Sequence, residues 1–173
     1  MGSDRRWRWA AVKLEVGPGC GGYKFRPYYA PSADVVYLDL ERPSAKVGAS
    51  WVVGDACRMP FRDSAFEEVS AVHVLEHLDD PLRFVEECKR ILVQGGRVYL
   101  ETPNFLSKDA YGDPDHKHVF NFVGLWRLVK KAGLEPHYPA PNVASLLPRP
   151  LRLLVKVILL SACDTLAIWG EKS

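Results

Sequence analysis

The 173-residue sequence has no strong excess of charge of either sign. Twenty-three Lys and Arg face 21 Asp and Glu, a formal charge of +2, so the extended basic face of a dedicated nucleic-acid binder is missing. The one dense basic run, Arg5, Arg6 and Arg8 beside Trp7 and Trp9, reads as a solvated terminus leading into a first strand, with an acidic partner as the alternative. Cysteine is scarce, and Cys20, Cys57, Cys88 and Cys163 form no C-x-x-C pair. That excludes a zinc knuckle or a disulfide framework and fits a reducing, cytoplasmic setting. No apolar run reaches the ~18 residues of a membrane span, and no signal-peptide succession opens the chain. Repeats, low-complexity tracts and dividing linkers are also absent, so one domain over 1–173 is expected.

What is present is an alternation of strands and helices. Val12-Lys13-Leu14-Glu15-Val16 alternates apolar and polar residues and stops at a glycine cluster. Val35-Val36-Tyr37-Leu38, Trp51-Val52-Val53, the run 69–74 and Arg97-Val98-Tyr99-Leu100-Glu101 supply four further strands. A helix is expected between the fourth and fifth strands, capped by Asp80, with Pro81 in its first turn. Its inward face would be Leu82, Val85, Cys88 and Leu92, and Gly95-Gly96 would end it. A second helix starts near Asn121, turns Phe122, Leu125, Leu128 and Val129 inward, and closes at Lys130, Lys131 and Gly133.

Proline-rich 136–150 reads as a surface loop, and Thr165-Leu166-Ala167-Ile168-Trp169 as a final, antiparallel strand. The fold class is therefore α/β, a Rossmann-like three-layer sandwich on a mostly parallel sheet, with ligands at the carboxyl ends of the strands. In 149–162, eight aliphatic residues surround a stripe of Arg149, Arg152 and Lys156. That segment reads as a helix on the sheet or in a homodimer interface, with a lid over an apolar acceptor or a membrane-surface contact as the alternatives.

Function concentrates after the first strand, in Glu15-Val16-Gly17-Pro18-Gly19-Cys20-Gly21-Gly22. Glycines there permit a tight turn and close approach of backbone to a ligand. Asp39 ends the next strand, where a carboxylate accepts from two ribose hydroxyls, so the pair points to a nucleoside-containing cofactor.

Six segments in order resemble the class I S-adenosylmethionine-dependent methyltransferases, in particular the small-molecule group that includes the ubiquinone and menaquinone enzymes. They are L-E-V-G-P-G-C-G at 14–21, Y-L-D-L at 37–40, G-D-A-C-R-M-P-F at 54–61, S-A-F-E-E-V at 64–69, H-V-L-E-H-L at 73–78 and L-V-Q-G-G-R-V-Y-L-E-T-P at 92–103. The resemblance implies S-adenosyl-L-methionine as cofactor and a small-molecule acceptor. It sets Glu15, Gly17 and Gly19 against the methionine half, Asp39 and Leu40 at the ribose, Asp55 and the Ala56 amide at adenine, and His73 near the sulfonium. A pyrophosphate cofactor would bring two negative charges near Glu15, which argues against NAD, and no Y-x-x-x-K hydride-transfer dyad is present.

Two departures from the family pattern accompany these matches. Lys24-Phe25-Arg26-Pro27-Tyr28-Tyr29 leaves room for at most two helical turns after the glycine loop. The first strand lies close to the start of the chain, so N-terminal helices that often cover the substrate in this family are expected to be missing. The acceptor site would then be built from the remaining loops or a partner subunit, and an inactive scaffold or partner subunit is the alternative function.

An acceptor that is a hydroxyl or ammonium needs a base, and His116 and His118 in Asp113-Pro114-Asp115-His116-Lys117-His118 are the candidates for a loop above the cofactor. A purely structural role for either is the competing reading. His73-Val74-Leu75-Glu76-His77 matches the H-x-x-E-H pattern of one zinc protease group. His73 closes a strand here, so the two histidines do not share a helix and no metal is expected; Glu76 and His77 are read as structural. Nucleic acid is a disfavoured partner, because no N-P-P-Y-type segment follows the fourth strand.

Overall fold

The computed structural model describes residues 12–19, 28, 30–42, 50–138 and 164–173. The expectations for the arginine run near the start, most of the segment after the glycine loop and the apolar stretch 149–162 lie outside the described residues.

Seven strands form one sheet: β1 Lys13–Val16, β2 Val35–Asp39, β3 Ser50–Val53, β4 Phe66–Val72, β5 Leu92–Pro103, β6 Glu135–His137 and β7 Thr165–Glu171. Their order is β3-β2-β1-β4-β5-β7-β6. β1 to β5 run parallel, whereas β7 is antiparallel to both β5 and β6. The expected mostly parallel Rossmann-like sheet with an antiparallel last strand is therefore observed, and β7 lies inside the sheet between β5 and β6. The direction of strand succession reverses between β1 and β4. At such a switch point the loops leaving the carboxyl ends diverge and open a crevice.

One face of the sheet carries Leu14 and Val16, Val69 and Ala71, Val98 and Leu100, and Leu166 and Ile168, all buried. The register sets Leu14 beside Val69 and Val98, and Ala71 beside Leu100 and Ile168. Helices α1 Pro81–Ile91 and α3 Phe122–Lys131 contribute to the same core, through Phe84, Val85, Cys88 and Ile91 and through Leu125 and Val129. On the opposite face one row crosses six strands in register: Trp51, Tyr37, Glu15, Ser70, Tyr99 and Trp169 on β3, β2, β1, β4, β5 and β7. Burial, with the Glu15 charge behind it, pushes the Tyr37 phenol up to about 12.

Three expectations need correction. Helix α1 ends at Ile91, not at Gly95-Gly96, because Leu92 turns extended (φ −72°, ψ 141°) and pairs with Phe66 of β4. Leu92 is thus buried as the first residue of β5, and the inward helical face is Pro81, Phe84, Val85, Cys88 and Ile91. Gly95, at φ +76°, sits within β5 and donates its amide to Lys172 rather than closing a helix. The fourth strand spans Phe66–Val72 and stops before Val74, with His73 turned to φ +55°. Finally, the start of the proline-rich segment is not all loop: Glu135–His137 pairs with β7 as an edge strand, where a proline is tolerated because its missing N–H can face away from the ladder.

Both helix starts follow the expected chemistry. Asp80 accepts from the Arg83 amide at 3.0 Å and Asn121 from the Gly124 amide at 2.7 Å. A short helix α2, Asp109–Gly112, stands between β5 and α3.

Candidate active site at the switch point

The carboxyl ends of β1 to β5 border a cleft of about 1130 Å³. Its wall is built strand by strand: Gly17 and Gly19 after β1, Asp39 and Leu40 after β2, Asp55 and Ala56 after β3, His73 after β4 and Pro103 at the end of β5.

Asp39 organises the centre. Its Oδ2 accepts from the Gly19 amide at 3.3 Å, its Oδ1 from the Leu40 amide at 2.7 Å, and its carbonyl from the Gly54 amide at 2.9 Å. One residue thus ties the loops after β1 and β3 to the end of β2. Gly17 (φ +68°) and Gly19 (φ +87°) both occupy the left-handed region that side chains rarely adopt. Asp55 caps the short turn Ala56–Arg58, its Oδ1 accepting from the Cys57 amide at 2.8 Å.

That turn is held from below. Glu87 of α1 accepts from the Met59 amide at 3.0 Å and pairs with Arg90 at 2.8 Å; Arg90 also donates to the carbonyls of Met59 and Phe61 and to Asp63. The Arg90 guanidinium holds the Glu87 carboxyl below the usual carboxylate range despite its burial. Burial pushes the Cys57 thiol up, with Asp55 and Asp80 acting in the same direction.

Two residues of the expected set take different places. Glu15 is buried at 2% exposure, is not part of the cleft wall, and accepts from the Tyr28 amide at 2.6 Å. Of the two candidate bases only His116 reaches the cleft; His118 stands off it, with its ring 6.1 Å from that of Phe120. Gly17, Gly19, Asp39, Leu40, Asp55, Ala56 and His73 all line the cleft.

The sequence matches the family described as a methyltransferase domain over residues 14–100, half of the chain. The chain belongs to the S-adenosylmethionine-dependent methyltransferase family. Among curated members of this family, a demethylmenaquinone methyltransferase of Renibacterium salmoninarum is 31% identical over 114 residues, covering 57% of this chain and 48% of its own. A ubiquinone/menaquinone biosynthesis C-methyltransferase of Desulfotalea psychrophila is 33% identical over 124 residues, covering 59% and 50%. The chain spans about half the length of the curated methyltransferases it matches or less. In fold, a SAM-dependent methyltransferase of Archaeoglobus fulgidus superposes over 93% of this chain and 86% of its own at a TM-score of 0.62, with 16% identity.

The cleft wall holds further residues, and of these only Glu76 and His77 have a structural role in the sequence pattern. His73 keeps its strained backbone while its amide donates to Glu101 and its Nδ1 lies 3.1 Å from Glu76 Oε1. That hydrogen bond raises the His73 pKa against the opposing effect of burial. Glu76, His77, Asp109 and Asp113 also line the cleft. For Glu76 and His77 the H-x-x-E-H spacing is the available signal, and the chain makes the expected strand end there, followed by a short turn. Among the described residues no helix is long and apolar enough to cross a membrane.

Proposed function

We propose that this chain binds S-adenosyl-L-methionine in the switch-point cleft and catalyses transfer of its methyl group to a small-molecule acceptor. The observation that carries this reading is the Asp39 clamp: a carboxylate at the end of β2, tied to a positive-φ glycine loop, in a chain of a methyltransferase family. The bound cofactor supplies an activated methyl group whose C–S bond breaks in line with its electron pair left on sulfur.

The residues present suit such a ligand. Asp39 stands where ribose hydroxyls can donate to it, and the two positive-φ glycines on either side of Pro18 let the backbone of the first loop come close to the methionine end. Asp55 accepts from the adenine amino group and the Ala56 amide donates to the ring. Held by Glu87 and Arg90, this turn meets the base already in shape. His73 flanks the methyl end, and His116 is the imidazole placed to face an acceptor. The relatives named for demethylmenaquinone support a small organic acceptor over nucleic acid, and the near-neutral charge agrees. A cytoplasmic setting completes the reading.

Calorimetric titration of S-adenosylhomocysteine and of NAD into the wild type and Asp39→Ala tests it. The expected result is saturable binding of the thioether nucleoside only. Loss of two charge-assisted hydrogen bonds, at about 1.5–3 kcal/mol each, weakens it at least tenfold in the variant. A folded protein that ignores S-adenosylhomocysteine or prefers NAD overturns the proposal.

A further inference from the structure

One cluster on the cleft wall is left without a role by cofactor binding. Glu76, His77 and His116 each offer a ligand atom, and these atoms lie within 4.8 Å of one another. Glu76 and His77 belong to the turn after β4, His116 to the loop after α2. The two amides that follow His116, those of Lys117 and His118, both donate to the Glu76 carbonyl, at 2.7 and 3.1 Å. Backbone hydrogen bonds therefore hold the two loops together independently of the side chains in question.

Each histidine is also oriented. Nδ1 of His77 lies 3.3 Å from the Asp115 carbonyl oxygen, and Nδ1 of His116 lies 3.2 Å from that of Ala110. A carbonyl can only accept, so each Nδ1 carries the proton and each Nε2 keeps its lone pair. A carbonyl on one ring nitrogen with a metal on the other is the usual state of a ligating histidine. Glu76 is prepared in the same manner. Its side chain is 1% exposed, with Oε1 beside His73 Nδ1, and its Oε2 accepts from Thr102 Oγ1 at 2.9 Å. Each carboxylate oxygen retains a second acceptor position.

We propose that Glu76, His77 and His116 bind a divalent first-row transition-metal ion on the wall of the cofactor cleft. Two imidazoles and one carboxylate suit Zn²⁺, Co²⁺ or Mn²⁺ better than Mg²⁺ or Ca²⁺, which favour oxygen throughout. Bonds of about 2.0–2.2 Å require the three ligand atoms to close up by on the order of 1 Å. Three protein ligands leave the ion coordinatively open, as catalytic sites are. All three residues line the cleft, so the open positions face it.

Resting on the methyltransferase reading, this site selects an acceptor with an oxygen donor, such as a hydroxyl. The ion binds that oxygen and lowers its pKa, its O–H bond breaks with the proton passing to solvent, and the oxygen lone pair becomes available to the methyl carbon. His116 then serves as a ligand, and the ion rather than the imidazole ionises the acceptor.

The test is titration of tag-free protein with Co²⁺, followed by visible absorption, and with Zn²⁺, followed by calorimetry. One ion per chain is expected, with d–d bands and no thiolate charge-transfer band, since no cysteine belongs to the cluster. His77→Ala and His116→Ala, verified as folded by their melting curves, should bind more weakly by more than the roughly 10–100-fold cost of an outer-shell change. His118→Ala should bind as the wild type does. Asp39→Ala separates the two readings, because it loses S-adenosylhomocysteine while keeping the ion. No saturable binding by folded wild type, a thiolate band, or undiminished binding in both folded histidine variants overturns the metal site and leaves the cofactor reading standing.

Discussion

A β-carbon added to Gly17 would stand 2.6 Å from Cγ2 of Val74. Gly17 is also at φ +68°, and its amide donates to the Leu38 carbonyl at 2.8 Å, so neither the backbone nor the neighbour can yield cheaply. Left-handed strain and overpacking together put the cost of Gly17→Ala at about 2–4 kcal/mol. A lowered melting temperature and loss of S-adenosylhomocysteine binding should appear together. An alanine variant that melts and binds as the wild type does would mean that the loop relaxes freely and is not a shaped cradle.

The Glu87 carboxylate links stability to pH. Its folded pKa is depressed chiefly by the Arg90 hydrogen bond, so its contribution is full above the ordinary glutamate range and is lost as pH falls through the depressed folded value. Glu87→Gln should therefore destabilise the protein by about 2 kcal/mol at pH 7, below the range for a fully buried pair because Arg90 keeps its other partners. The deficit should shrink as pH falls below about 4, the ordinary glutamate range. Urea denaturation of both proteins across that range checks the sign, and a deficit that grows on acidification contradicts it.

Capping at Asn121 should matter to stability alone. Its side chain accepts from Gly124 at the start of α3, and it is not part of the cleft wall. Asn121→Ala should cost about 1 kcal/mol and leave S-adenosylhomocysteine affinity unchanged. A large loss of affinity would show that α3 positions the cleft loops more directly than the contacts indicate.

Local pattern accounts for what could be read before the structure. Alternation around Glu15 ending in glycines, then a strand closed by Asp39, is a signal contained within a few residues, and Gly17, Gly19 and Asp39 line one cleft; Asp55, which enters only through the family resemblance, lines it too. Elements defined by distant pairing were not legible. Glu135–His137 is three residues with a central proline, and it is a strand only because β7 lies beside it. Gly95-Gly96 looks like a helix stop, whereas pairing of Leu92 with Phe66 ends α1 at Ile91 and starts the strand earlier. The cluster of Glu76, His77 and His116 depends on two amides reaching one carbonyl across the cleft loops, for which sequence periodicity holds no trace. Burial of Glu15 likewise follows from its place in a row of side chains crossing the sheet.

Asp55 offers the sharpest separation of a structural from a binding role, because one oxygen caps a turn while the carboxylate as a whole borders the cleft. Asparagine is as good a cap as aspartate, so Asp55→Asn should preserve the hydrogen bond from the Cys57 amide and melt close to the wild type. Its side-chain NH₂ group, however, replaces an acceptor by a donor where the proposed adenine amino group also donates. Two donors then face each other without a partner, at a cost of about 1–3 kcal/mol. S-adenosylhomocysteine should bind roughly 10–100-fold more weakly, and replacing its adenine by hypoxanthine, which accepts at that position, should recover part of the loss. Equal weakening for both nucleosides in a well-folded Asp55→Asn would place the base elsewhere in the cleft, whereas the predicted crossover assigns Asp55 to the exocyclic amine.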